Sequence, residues 1–461
     1  MYLRELIIRN IKCFRELKLE FLDDFGKIRR WTTLLGENGL GKSTLLQAMA
    51  VPLAGPGAMR ELLPVAERWV RQGKPYGHIE AELLWHQGDS QLPKFPKKTP
   101  YRTHFLVTGA DPEKLPKDLL EQPTVPSIVA WTGGRTGRER EPISKAASRL
   151  NKTAYAENKH GWLACGYGPF RRLSGGSQGA DKILYAGRKS ARFLTLFRED
   201  AALTNATDWL IELHNTSRDG DEKSERSLGV VKKAFASDFL LEQATLEVDA
   251  RHARLKLADK EPVPFESLSD GYRAMLALGI DLVRWLAEAF PDASDPLASH
   301  GVVLIDELDA HLHPRWQQRI GEWLLQKFPN LQFVVATHSP FLAQVSGVGG
   351  NIVLKEEKGE VKKQVAQASV ATWRADQILT ELFGLESTRP PSIERALLRM
   401  IALGDARRAR SLNEKEAKEF QQLELQFAEL PPPLESPDER AAAEVLRKAV
   451  EEHRDELGAL E

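Results

Sequence analysis

The chain has 461 residues, of which 42% are hydrophobic and 28% are charged, and its formal net charge is −1. This composition is typical of a folded globular protein, and it excludes a strongly basic nucleic-acid-binding protein, so a contact with nucleic acid would need a local basic patch. Two cysteines, Cys13 and Cys165, cannot form a disulfide framework, and with no signal pattern and no membrane-spanning apolar run the sequence predicts a cytoplasmic protein without a membrane segment.

The first elements in chain order are a strand pair and a buried strand. Residues 3–8 and 17–21 predict two strands around a turn at Asn10–Phe14. Residues 30–35 predict a short buried strand, and a helix is predicted to open at Ser43. Between them lies a glycine-rich loop.

This loop fits the pattern G-x-x-x-x-G-K-[ST] over residues 36–43. Its glycines let backbone N–H groups converge on phosphate oxygens. We expect Lys42 to reach the β- and γ-phosphates of a nucleotide and Ser43 to bind Mg²⁺. The residues that the motif assigns to nucleotide binding are Gly36, Asn38, Gly39, Gly41, Lys42, Ser43 and Thr44.

The next part of the chain predicts a helix near 59–71, a strand at 79–85 and then an insertion at about 90–160. Within the insertion, strands are possible at 103–108 and 127–131. Residues 133–153 are rich in basic side chains, namely Arg135, Arg138, Arg140, Lys145, Arg149 and Lys152. This segment is interpreted either as a solvated loop or as a contact with a nucleic-acid phosphate backbone, and the sequence leaves both open.

After a buried strand that begins at Trp162 and leads into Gly168–Arg171, residues 181–242 have a helical apolar pattern. This segment predicts a compact lobe, because it is too short and too interrupted for a long coiled coil. A β-hairpin is predicted at 245–257.

A continuous apolar run at 302–305 predicts a fully buried parallel strand, and Asp306 and Glu307 follow it directly. This is the arrangement of a Walker B motif. Asp306 is expected to hold Mg²⁺, directly or through water, and Glu307 to orient and deprotonate the attacking water.

A helix at 315–328 and a second buried strand at 332–336 lead to His338, for which we predict contact with the γ-phosphate or the attacking water. The pair His311 and His313 is interpreted as structural, since no third metal ligand of the right kind lies near. The remaining chain predicts helices from Trp373 to about 430 and at 437–458.

These motifs resemble those of ABC-type ATPases, in particular the group that contains RecF, the structural-maintenance-of-chromosomes (SMC) proteins and the overcoming-lysogenization-defect ATPases. The resemblance covers residues 1–50 and 265–345. It rests on five matched segments: Arg9–Phe14, Gly36–Ser43, Leu268–Tyr272, Leu304–Ala310 and Thr337–Pro340. It implies an α/β fold: an ABC-ATPase head with a mixed sheet around the P-loop, an antiparallel β subdomain, a short helical lobe, an insertion and a C-terminal helical region.

In that group two heads meet head to tail around ATP, so the resemblance implies a homodimer, or a higher oligomer of dimers, that uses ATP and Mg²⁺. The signature residues Ser269 and Gly271 would then bind the ATP of the other subunit, and Lys12 is also placed at the nucleotide. Residues 173–178 look closer to the LSGGQ consensus, but only 268–272 lies shortly before Walker B with a helix behind it. Gln178 is then a candidate Q-loop residue, with Gly168–Arg171 as the alternative.

The predicted organisation follows from these assignments. The head is formed by residues 1–89 and 245–366, with 161–180 as a return strand and Q-loop. The insertion spans 90–160, the helical lobe 181–244 and the C-terminal helical region 367–461.

Three functions compete for this architecture. A transporter subunit is disfavoured because more than 220 residues separate Lys42 from Ser269. A self-sufficient nuclease is disfavoured because no carboxylate cluster ends an apolar strand after His338.

Residues 373–389 resemble the helices that follow the ATPase in Septu-type anti-phage systems, whose nuclease is a separate HNH protein, and PARIS ATPases are similar. We therefore predict an ATPase that controls an effector nuclease in defence. The alternative is a RecF- or SMC-like DNA repair or maintenance clamp, contacting DNA through 133–153.

Overall fold

The computed structural model describes most of the chain, and its contacts divide it into two units, Met1–Gly384 and Leu385–Glu461. The described residues are 1–63, 66–84, 86, 101–108, 128–132, 150, 153–157, 159–171, 180, 183–184, 188–201, 203, 206–236, 244–257 and 261–428. Gln178, the basic residues of 133–153 named above and the predicted helix at 437–458 lie outside these ranges.

The first unit contains both strands and helices. Its strands are β1 Tyr2–Ile11, β2 Phe14–Glu20, β3 Trp31–Leu35, β4 Tyr76–Leu84, β5 Tyr101–Thr108, β6 Ile128–Thr132, β7 Leu163–Tyr167, β8 Ala244–Val248, β9 Ala253–Leu257, β10 Val263–Pro264, β11 Gly301–Ile305, β12 Leu331–Ala336, β13 Asn351–Glu357 and β14 Glu360–Val365. Its helices are α1 Lys42–Leu62, α2 Leu194–Phe197, α3 Ala206–Arg218, α4 Glu222–Phe235, α5 Asp270–Ala289, α6 Pro314–Lys327, α7 Pro340–Gln344 and α8 Ala375–Glu381.

A six-stranded sheet carries the P-loop, with the strand order β14-β13-β3-β12-β11-β7. Every neighbouring pair from β13 to β7 is parallel, and β14 alone is antiparallel to its neighbour. Strands β3, β7, β11 and β12 are buried throughout, which explains their continuous apolar character. Because parallel strands share a direction, the segments that follow these four strands meet at one edge of the sheet.

A second sheet has the order β2-β1-β4-β5-β6 and is antiparallel except for the pair β5–β6. Its inner face joins the main core. The two sheets are also connected by a buried polar contact, because the side-chain amide of Gln332 on β12 bonds the backbone of Leu3 on β1. Leu3 N–H donates to Gln332 Oε1 at 2.9 Å, and Gln332 Nε2 donates to the Leu3 carbonyl oxygen at 2.8 Å.

The predicted hairpin at 245–257 is present as β8 and β9, which pair antiparallel and continue into β10. The segment predicted to form a helical lobe contains α2, α3 and α4. The prediction of a helix at 59–71 was wrong in extent, since α1 continues past a kink at Gly55 to Leu62 and only a 3₁₀ turn follows, at Ala66–Trp69. Gly55 has a φ of 81° there, which interrupts the helical pattern.

The second unit contains helices α9, Pro391–Ala409, and α10, Glu414–Ala428. They are joined by a two-pronged ion pair, in which Arg399 Nε and Nη2 each donate to the Glu419 carboxylate at 2.9 Å. Within the described part of the chain, no helix combines the length and the apolar character that crossing a membrane requires.

Candidate functional site

The P-loop is the connection between β3 and α1, and its shape depends on glycine. Gly41 has a φ of 87°, in the left-handed region that favours glycine. A Cβ atom added there would lie 2.7 Å from Cys13 Sγ and 2.7 Å from the Phe14 ring. The turn between β1 and β2 therefore closes against the start of α1, and only glycine fits between them.

Lys42 points back into this loop. Its Nζ donates to the carbonyl oxygens of Gly36 at 2.7 Å and Glu37 at 3.0 Å, and the residue is 7% exposed. Burial lowers the pKa of Lys42. The negative charge of three carboxylates opposes this shift: Asp306, Glu307 and Asp309. The lysine thus shares one electrostatic environment with the segment that follows β11.

Asp306 lies at the start of that segment. Burial raises the pKa of its carboxylate, and Ser43 and Lys42 of the P-loop oppose this shift. The Oδ1 atom of Asp306 is buried and has no hydrogen-bond partner among the described residues. An unpaired carboxylate oxygen beside a hydroxyl is an oxygen donor set of the kind that Mg²⁺ prefers. The chemistry of Ser43 and Asp306 therefore fits a magnesium ion.

The backbone of Glu307 has an uncommon conformation, and the buried side chain of Arg171 forms hydrogen bonds with it. Glu307 has a φ of 46°, a left-handed conformation that is uncommon for a residue with a side chain. Arg171 Nη1 donates to the Asp306 carbonyl oxygen at 2.9 Å, and Nη2 donates to those of Glu307 at 2.9 Å and Leu308 at 3.4 Å. Burial lowers the pKa of Arg171 to about 10, so the guanidinium stays charged at neutral pH.

Sequence reasoning missed this role of Arg171. It treated Gly168–Arg171 only as an alternative Q-loop position. The structure places Arg171 beside Walker B because β7 pairs in parallel with β11, with Tyr167 opposite Ile305. A buried guanidinium needs several hydrogen-bond acceptors, and the free carbonyl groups at the end of a neighbouring strand can supply them. An arginine soon after a buried strand therefore indicates such a role.

Asp309 joins the two strand ends at β11 and β12. Its Oδ1 accepts a hydrogen bond from Thr337 Oγ1 and another from the His338 backbone N–H at 3.3 Å. Burial lowers the pKa of His338, and the positive charge of Lys42 lowers it further, whereas Asp309 and Glu307 oppose the shift. His338 thus interacts electrostatically with both the P-loop lysine and the predicted catalytic carboxylate.

The signature segment lies elsewhere on the surface of the unit. Ser269 is the exposed N-cap of α5, a 20-residue helix. Gly271 is buried, and a Cβ atom there would lie 2.7 Å from the His311 carbonyl oxygen, so the start of α5 packs directly on the chain after Walker B. Within the described residues, no recorded hydrogen bond links Ser269 to the P-loop.

The other predicted residues have less specific surroundings. Asn38 and Gly39 are exposed on the P-loop, and Thr44 is buried in the first turn of α1. Lys12 occupies the β1–β2 turn, where its Nζ lies 5.0 Å from the centroid of the Trp69 ring. His313 caps α6 by accepting a hydrogen bond from the Arg315 N–H at 3.3 Å.

Known proteins resemble this chain in sequence and in fold. Residues 181–344 match the family model described as "AAA domain, putative AbiEii toxin, Type IV TA system". Septu protein PtuA of Bacillus mycoides (strain KBAB4) is 27% identical over 395 residues, which cover 84% of this chain and 46% of that protein. The Retron Vc95 probable ATPase of Vibrio cholerae serotype O1 biovar El Tor is 37% identical over 110 residues, or 24% of this chain and 21% of that protein. The chain spans less than half the length of these relatives.

Among solved structures, an SMC head bound to the C-terminal winged-helix domain of ScpA superposes with a TM-score of 0.50 at 15% identity, covering 81% of this chain and 99% of that one. This similarity confirms the predicted fold class, that of an ABC-ATPase head. The chain therefore has the fold of an SMC head, and its sequence is similar to that of Septu protein PtuA over 84% of its length.

Proposed function

We propose that this protein binds and hydrolyses ATP at the edge of the six-stranded sheet where β3, β7, β11 and β12 end. The observation that supports this most directly is the buried Asp306 carboxylate after β11, whose Oδ1 has no hydrogen-bond partner among the described residues and whose pKa burial raises against the opposing effect of Ser43 and Lys42 of the P-loop. The shared electrostatic environment of Lys42, Glu307 and His338 adds to it. Phosphoryl transfer requires mainly positioning and charge neutralisation, and this edge concentrates groups for both.

Each residue then has a defined task. Ser43 and Asp306 hold Mg²⁺, which when bound neutralises charge on the triphosphate. Lys42 moves from its loop carbonyls to the β- and γ-phosphate oxygens. Glu307 accepts a proton from the attacking water, and His338, neutral at neutral pH, donates to or accepts from the γ-phosphate or that water.

The direct test is phosphate release from ATP by the purified chain. We expect Mg²⁺-dependent turnover that stops when EDTA is added. A well-folded preparation that neither binds nor hydrolyses adenine nucleotides would refute the assignment.

We further propose that two copies close head to tail around ATP. Ser269 is exposed at the start of a long helix, where backbone N–H groups and the helix dipole favour an anionic ligand. In this arrangement Ser269 and Gly271 of one copy bind the γ-phosphate held by the P-loop of the other.

We also propose a role in anti-phage defence, in which the ATPase controls a separate effector nuclease. The similarity to Septu protein PtuA over most of this chain supports this proposal. The test is phage plating on cells that express the chain with and without its neighbouring reading frames. Protection that requires both the chain and an adjacent nuclease gene is expected, and protection without any partner would contradict it.

The alternative of a DNA clamp rests on the basic segment 133–153, which is almost wholly outside the described residues and stays a prediction. Replacing Arg135, Arg138 and Arg140 together tests it. Unchanged DNA binding across a salt series would assign the segment to the solvated-loop interpretation.

A further inference from the structure

Three side chains that can bind a metal ion lie together on the outer face of the five-stranded sheet. His78 and Glu80 are on β4, and His104 on β5 is the register partner of Glu80. Residues two apart on a strand point to the same face, so the three side chains share it. Their ligand atoms all lie within 4.8 Å of one another.

The spacing of these atoms matches one edge of a metal coordination shell. His78 Nε2 lies 3.3 Å from His104 Nδ1, and His104 Nδ1 lies 3.7 Å from Glu80 Oε2. Two nitrogens bound to one tetrahedral Zn²⁺, each at about 2.0–2.1 Å, would be about 3.4 Å apart. The two imidazoles therefore already have the separation that a shared zinc ion needs.

The protonation state of the two histidines also suits a metal ion. The His104 side chain is 7% exposed, and His78 is half-buried. Burial lowers the pKa of both rings to about 4. Both are then neutral at neutral pH, which is the form that binds metals.

Two neighbouring guanidinium groups are neutralised by other carboxylates. Arg9 Nε donates to Glu16 at 2.8 Å, and its Nη1 is 3.9 Å from Glu80. Arg102 Nε donates to Glu82 at 2.5 Å. Since each arginine has a closer carboxylate partner, the Glu80 carboxylate can serve as a ligand.

We propose that His78, Glu80 and His104 form a binding site for a divalent transition metal ion, with Zn²⁺ as the ion that the geometry fits best. Two imidazoles and one carboxylate select such ions over Mg²⁺, which prefers oxygen donors throughout. The site is separate from Ser43 and Asp306 and does not depend on ATP hydrolysis. A bound ion ties β5 to β4, with water or another donor completing the tetrahedron. The competing interpretation is an N–H···N hydrogen bond between two neutral rings.

The test measures zinc in the full chain without nucleotide, after chelator treatment, titration with Zn²⁺ and removal of the excess. We expect about one zinc ion per wild-type chain and its loss in the variant that combines His78→Gln with His104→Gln. His252→Gln, at an exposed histidine of the β8–β9 turn, should keep the ion. Asp306→Asn should keep it too, which separates this site from the magnesium site.

A second measurement needs no folded variant. The zinc X-ray absorption spectrum of the loaded wild-type chain should show two imidazole nitrogens and oxygen donors at about 2.0–2.1 Å, without sulfur. Equal zinc content in wild type and the double variant, or a spectrum without imidazole scattering, would overturn the proposal and leave the ring-to-ring hydrogen bond.

Discussion

The Arg171 guanidinium donates from Nη2 to the carbonyl oxygen of Glu307 at 2.9 Å. Arg171 lies in the segment after β7 and is separated from Walker B by more than 130 residues in the sequence. Since Glu307 has a left-handed backbone, this bond and the one to the Asp306 carbonyl keep the carboxylate segment in a conformation that it would otherwise leave.

Replacing Arg171 should therefore reduce catalysis more than binding. In Arg171→Lys the charge remains but the forked set of donors is lost, and we expect the kcat of ATP hydrolysis to fall by at least about tenfold, or about 1.4 kcal/mol of transition-state stabilisation. The affinity for ATP should change little. Steady-state kinetics with a nucleotide-binding assay checks this, and Arg251→Met, at an exposed arginine, is the control. A variant with normal kcat would show that Arg171 does not position Glu307.

Lys42→Ala removes the cation of the P-loop. We expect ATP hydrolysis to fall roughly 10²- to 10³-fold, because a donor aimed at the phosphates is lost. Lys27→Ala, at an exposed lysine before β3, should behave as wild type. Ordinary turnover in Lys42→Ala would place the site elsewhere.

Glu307→Gln should bind ATP but hydrolyse it roughly 10²- to 10⁴-fold more slowly, because the general base is lost. The variant should then accumulate as a closed dimer with ATP, which light scattering coupled to size exclusion measures. Adding Ser269→Arg, which places a bulky side chain at the proposed contact with the second copy, should restore the monomer mass. If neither variant alters the mass on adding ATP, the proposed head-to-tail dimer is not supported.

The pH dependence of kcat/KM for ATP should reflect His338, since this parameter reports the free enzyme. Burial and Lys42 hold its pKa below the usual 6.5, so His338 stays neutral as the pH falls to 6.5 and gains a proton only below that value. Protonation of His338 should therefore contribute a decline in activity on the acid side. In His338→Gln the decline caused by protonation of His338 should disappear. The decline caused by protonation of Asp306, whose pKa is raised by burial, should remain. An identical acid limb in both proteins would exclude His338 as its source.

Gln332 contributes to stability, and its replacement tests the contact between the two sheets. Gln332 is fully buried, and in Gln332→Ala the N–H and carbonyl groups of Leu3 lose their partner. We expect a loss of about 1–3 kcal/mol in the free energy of unfolding, measured by urea denaturation. Gln364→Ala, on the exposed face of β14, is the control. Equal urea midpoints in wild type and Gln332→Ala would mean that other groups replace the hydrogen bonds of the Gln332 amide.

The strands and turns of the head could be predicted because local patterns determine them. The strands predicted at 302–305 and 332–336 lie in β11 and β12, and Asp306 and His338 follow those strands as expected. The glycine-rich loop likewise lies between β3 and α1. In these places the pattern of one short segment was sufficient.

The remaining features depend on contacts between distant segments. Arg171 gains its role only because β7 lies beside β11, and the cluster of His78 and His104 exists only because β5 pairs with β4. The left-handed backbone of Glu307 has no sequence signal, since glutamate does not favour it. The predicted helix at 59–71 was wrong in extent, because the helix that begins at Lys42 continues past the kink at Gly55 and ends at Leu62.

The contact of Gly271 with the His311 carbonyl has a consequence for communication between two copies. With no room for even one methyl group, the beginning of α5 cannot shift independently of the chain that carries Glu307 and Asp309. In a pair of heads, a rearrangement around the nucleotide of one copy would displace Ser269 of that copy. This serine is the one proposed to bind the ATP held by the P-loop of the other copy. Hydrolysis of the two ATP molecules would then be coupled, because the tight packing at Gly271 transmits a change at one site to the other.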